Sequence, residues 1–84
     1  MTLSNAIRQK IINIANEKNI SVHKLVTQAG IPYSTVSSFL NKKSDSVTMA
    51  TILHLCQGSN ITIKEFFSDP IFKNIDGSKS SGKR

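Results

Sequence analysis

The chain has 84 residues, with 11 Lys and Arg against 5 Asp and Glu and a formal charge of +6, which points toward an anionic partner, nucleic acid first. That length allows one small domain, one that buries only about 60% of its unfolded surface. No stretch approaches the roughly 20 apolar residues that span a bilayer, residues 1–5 lack the form of a secretory signal, and the one cysteine, Cys56, forms no internal disulfide, so a reducing cytoplasm is the expected compartment.

The periodicity predicts five short helices. The first runs over about 2–18, with Leu3, Ile7, Ile11 and Ile14 at the spacing that shares one face. Asn19 and Ile20 interrupt it. Ser21 offers an N-cap to a second helix whose Val22, Leu25, Val26 and Ala29 share a face. Gly30 follows where a helix end favours a left-handed residue. Pro32 fixes its own φ and pushes Ile31 toward an extended conformation. A third helix begins at Pro32 or Tyr33 and reaches about Leu40.

Residues 41–46 read as a polar loop. Thr48 is an N-cap candidate for a fourth helix, with Met49, Ile52, Leu53 and Cys56 on one face and Gly58 as its stop. The fifth has the strongest local signature. Thr62 and Glu65 form a T-x-x-E capping box, with Ile61 and Phe66 at the staple positions. Phe67 joins the core and residues 69–70 end the helix. No strand pair with a hairpin turn signal is present. The fold class is all-α, with one domain over 1–70 and a flexible basic tail over 71–84. Residues 76–84 contain no apolar side chain. Residues 1–75 still carry eight Lys and Arg against four Asp and Glu, so the body is basic in its own right.

The informative stretch is 21–43, where two short amphipathic helices flank a tight turn containing Gly30. At about 100° per residue, Val36, Phe39 and Leu40 fall on one side of the third helix. Tyr33, Ser34, Ser37, Ser38 and Asn41 fall within an arc of about 140° on the other. These short hydrogen-bonding groups suit base edges in a major groove. Lys42 and Lys43 follow, where a cation reaches phosphate. Ser21, His23, Lys24 and free backbone N–H groups at the second helix start form an anion site.

At these residues the chain closely resembles the Cro and phage-repressor type of helix-turn-helix (XRE-like) family. The matching positions include Ile20, Ser21, Leu25, the run 29–37, residues 40–44, Thr48, Met49, Ile52, Leu53, Cys56 and residues 60–67. The resemblance implies a five-helix DNA-binding domain with the helix-turn-helix at helices 2 and 3. It also implies a sequence-specific transcriptional regulator, expected to be a repressor and dimeric on a palindromic operator in the bacterial nucleoid. By position, Tyr33, Ser34, Ser37 and Ser38 would face bases. Ser21, His23, Lys24, Asn41, Lys42 and Lys43 would hold the DNA backbone. Two positions depart from the family's pattern. Val26 stands where a small residue is common, and Val22 where Gln often contacts phosphate, which leaves that contact to Ser21 or His23.

Catalysis has little support. There is no phosphate-binding loop, no H-E-x-x-H and no triad spacing. His54 and Cys56 are too sparse for zinc. No metal, cofactor or small-molecule ligand is expected. The rival reading is a protein-interaction module, such as an antitoxin or a phage factor that binds a host protein, since no Lys or Arg lies between Pro32 and Leu40. Leu55 and Ile12 fall off the main apolar faces of their helices; either neighbouring helices cover them or they form a dimer surface.

Overall fold

Hydroxyl side chains start four of the five helices in the computed structural model, which describes residues 2–43, 46–73 and 75. Thr2 caps α1 (Leu3–Glu17), Ser21 caps α2 (Val22–Gln28), Thr48 caps α4 (Met49–Gly58) and Thr62 caps α5 (Ile63–Phe67). Each hydroxyl oxygen accepts from the backbone N–H three residues on. The Thr62 N–H also donates to Glu65 Oε1 at 2.8 Å, which completes the capping box. The helix between, α3 (Tyr33–Leu40), begins at Pro32 and has no side-chain cap.

Four helices also end alike. The residue past each C-cap takes a positive φ: Asn19 at 61°, Gly30 at 79°, Lys42 at 63° and Asn60 at 63°. Its N–H bonds back to the carbonyl three residues earlier, and the next N–H bonds to the carbonyl five residues earlier. Both bonds together satisfy carbonyls that the helix would leave open. After Asn19, Gly30 and Asn60 the next residue is isoleucine, and Ile20, Ile31 and Ile61 all pack against the core.

That core joins Ile7, Ile11 and Ile14 of α1 to Leu25 and Val26 of α2, Val36 and Phe39 of α3, Ile52, Leu55 and Cys56 of α4, and Phe66 of α5. After α5 a 3-10 helix, Pro70–Lys73, returns toward α1. Its Phe72 ring lies 5.0 Å from Phe67 and 6.0 Å from Phe66. The packed chain therefore continues past the boundary expected after residue 70. Of the flexible basic tail expected over 71–84, residues 71–73 lie in this 3-10 helix, while residues 74 and 76–84 lie outside the described residues, as do Ser44 and Asp45 of the polar loop.

The architecture is the expected all-α one, and no strand occurs among the described residues. None of these helices is long and apolar enough to cross a membrane. Several expected details change. Leu3 is half exposed, because burial of the α1 face begins at Ala6 and Ile7. The inner face of α4 is Thr51, Ile52, Leu55, Cys56 and Ser59, while Met49 and Leu53 are exposed. Leu55 is therefore core and not a dimer surface; Ile12 remains exposed. Gly58 does not stop α4, since it is the last helical residue and Asn60 makes the left-handed turn. Gly58 instead lets α4 touch α2: a Cβ there would stand 2.7 Å from the Ala29 Cβ and 2.8 Å from its Cα.

Candidate nucleic-acid interface

The turn between α2 and α3 fixes how α3 is presented. Gly30 supplies the left-handed residue without a steric cost. Ile31 then enters the core, and Pro32 delivers the chain into α3 with φ −59°. Val36 and Phe39 are fully buried and hold one side of α3. Ser34 on the other side is exposed, and Ser37 and Ser38 are half-buried. The expected division of α3 into a packed face and a polar face is thus present. A weak 3.5 Å contact from Ser37 Oγ to the Ser34 carbonyl oxygen leaves the Ser37 oxygen able to accept.

Tyr33 differs from the three serines. Its ring is half-buried against the core and lies 4.7 Å from the His23 ring, tilted by 52°. This contact joins the first residue of α3 to the first turn of α2. His23 and Lys24 are exposed beside it. Ser21 Oγ is committed as acceptor from the Lys24 N–H at 3.0 Å, which leaves its own O–H to donate outward. Val22 packs against the core, so it does not replace the family's Gln at that place.

At the far end of α3, Asn41 is the C-cap, and Asn41, Lys42 and Lys43 are exposed. Lys42 occupies the left-handed turn at φ 63°. A lysine there carries a steric cost of roughly 1–2 kcal/mol that glycine would avoid. Residues 18–44 contain four lysines and no Asp or Glu. The stretch that forms α2 and α3 is therefore positive along the chain. Two of the chain's acidic groups are occupied elsewhere: Glu65 in the α5 cap, and Asp69 paired with Lys10 at 3.0 Å.

Sequence reasoning missed Arg8. This α1 side chain is only 8% exposed. Its Nε donates to the Phe39 carbonyl oxygen at 2.6 Å, and a terminal nitrogen donates to Asn5 Oδ1 at 2.6 Å. Its guanidinium stands 4.5 Å from the centre of the Phe39 ring. Arg8, Asn5, Ser4 and Thr2 line an open cavity of about 400 Å³ together with Lys42. The available signal was spacing: Arg8 stands three and seven residues before Ile11 and Ala15, on the buried side of α1.

Comparison with known proteins matches this geometry. The family model of the Cro/C1-type HTH DNA-binding domain matches residues 10–70. Among solved structures, the crystal structure of the prophage Lp1 protein 11 superposes with a TM-score of 0.77 at 23% identity, covering 89% of this chain and 99% of that one. At that identity the likeness concerns the fold. No curated protein matches the chain.

Proposed function

The chain belongs to the Cro/C1-type helix-turn-helix DNA-binding domain family, and from that premise we propose that it is a sequence-specific transcriptional repressor that reads the major groove with α3. The observation that carries this reading is the division of α3. Val36 and Phe39 anchor one side, while Ser34, Ser37 and Ser38 stand on the other, in a stretch, 18–44, whose sequence has no Asp or Glu. Tyr33, Ser34, Ser37 and Ser38 face the bases. Ser21, His23 and Lys24 at one end of the unit, and Asn41, Lys42 and Lys43 at the other, grip phosphates and set the register. A homodimer on a palindromic operator in the bacterial nucleoid would place two copies of α3 about one helical turn apart. It would block polymerase where operator and promoter overlap. No small-molecule ligand is needed for this activity.

Selection of bound duplexes from random DNA at stated salt concentrations tests the reading. The expected product is a palindrome with half-sites about 10 bp apart. The slope of log K against log salt should lose about 0.9 for Lys42→Ala and again for Lys43→Ala. Ser34→Ala and Ser38→Ala should relax preference at particular base pairs, by about 1–3 kcal/mol at most. Equal losses on every duplex from the serine variants would remove those residues as readers. Binding that ignores salt and both lysines would favour a protein partner instead.

A further inference from the structure

We propose that Arg8 is a positioning residue for base reading: from inside α1 it fixes the rotation of α3 about its own axis. The proposal rests on α3 being the reading helix. Among the described residues, three contacts of this guanidinium bear on the proposal. It donates to the Phe39 carbonyl oxygen and to Asn5 Oδ1, and it lies over the Phe39 ring. Ring and carbonyl are two separate points on one residue of α3. An apolar contact such as that of Val36 resists separation but lets a helix roll; a bond to the carbonyl together with a cation over the ring resists rolling. The Phe39 carbonyl oxygen also accepts the Lys42 N–H at 3.1 Å, so Arg8 secures the turn that carries Lys42. Its charge sits at the negative end of the α3 dipole, where a cation is favoured.

Rotation matters here because the reading side chains are short. A side-chain tip about 5 Å from a helix axis moves about 1 Å for a 10° roll. Hydrogen bonds tolerate a donor–acceptor range of only about half that. A long arginine on the reading face could reach across the error; serine hydroxyls cannot. Arg8 is only 8% exposed, and two of its nitrogens are engaged within the protein. Its effect on DNA passes through Phe39.

The test uses the full chain with Arg8→Met, Arg8→Lys and Asn5→Ala, the last removing the carboxamide whose Oδ1 accepts from Arg8. Each is titrated with a duplex selected by the wild-type protein and with a scrambled duplex of equal length, over a salt series. Amide exchange is followed at residues 41–43 and at Leu55 and Cys56. We expect Arg8→Met to lower the selected-over-scrambled ratio by about tenfold. Scrambled-duplex affinity and its salt slope should hold. Amides 41–43 should exchange faster and those of α4 should not. Arg8→Lys should recover part of the ratio, and Asn5→Ala should shift it in the same direction by less; these two carry the test if Arg8→Met does not fold. Equal losses on both duplexes with a slope reduced by about 0.9 would make Arg8 a phosphate contact and overturn the proposal. An unchanged ratio in folded variants overturns it while leaving DNA reading intact. A wild-type protein with no preference between duplexes overturns the α3 reading and this proposal together, and the exchange data then report separately whether Arg8 holds the end of α3.

Discussion

The joint between α2 and α3 and the joint between α4 and α5 follow one plan with different parts. Each passes through a left-handed residue, an isoleucine turned to the core and a cap position: Gly30, Ile31, Pro32 in one, and Asn60, Ile61, Thr62 in the other. The α4–α5 joint closes its helix start with a full capping box. The α2–α3 joint, which leads to the polar face, has no side-chain cap. A hydroxyl cap typically contributes about 1 kcal/mol. The difference shows that α3 depends more on tertiary support, from Val36, Phe39 and Arg8, than five-residue α5 does at its start. The joints also meet. Ala29 closes α2, Gly58 closes α4, and the two are in contact.

Gly58→Ala should break the comparison most severely, since its Cβ would meet the Ala29 backbone and separate both joints at once. Denaturant unfolding should show a loss of about 2 kcal/mol. Gly30→Ala meets no neighbour within 4 Å, so its cost comes from φ alone; we expect about 1 kcal/mol, and less for Gly30→Asn, which would imitate Asn60. Thr62→Ala should lower the melting temperature by the equivalent of about 1 kcal/mol. Pro32→Ala, with no cap bond to lose, should cost less; equal losses would mean that the capping box contributes nothing particular to α5.

The smallest effect concerns pH. The Ile71 backbone N–H, and after it the Lys10 side chain, hold the Asp69 carboxyl below the usual carboxylate range. A depressed folded-state value stabilises the protein above the unfolded carboxylate range, and that contribution is lost as pH falls through the folded value. Acid titration of stability should therefore be shallower below about pH 4 in Asp69→Asn. The change should stay under about 1 kcal/mol, because the pair is partly solvated.

The starts of α2, α4 and α5 were legible in the sequence at Ser21, Thr48 and Thr62, because a cap is a local object: a hydroxyl and the N–H three residues on. Thr2 was placed inside α1 and not read as its cap, since no interruption precedes it to mark a helix start. The two faces of α3 were legible because its apolar residues, Val36, Phe39 and Leu40, fit one side only. On α4 the apolar residues offered two faces. Met49, Ile52, Leu53 and Cys56 satisfy the spacing as well as Ile52, Leu55 and Cys56 do. The choice came from the touch of Gly58 on Ala29 and the burial of Ser59, both tertiary facts. Arg8 was hidden by its charge, since a charged side chain is expected at the surface unless partnered, and Phe39, the partner that ties it to α3, lies 31 residues away. The left-handed Lys42 had no local cue either, because lysine disfavours that conformation.

The touch between Ala29 and Gly58 has a mechanical consequence. Side chains such as Ile11, Leu25, Ile52 and Phe66 in the core can change rotamer and absorb a small displacement. Between α2 and α4 a methyl group lies directly on bare backbone, and such a contact has no compliance. The spacing of α2 and α4 is therefore set at this point by main chain and a single methyl group, and Ala29 stands directly before the Gly30 turn that leads to α3.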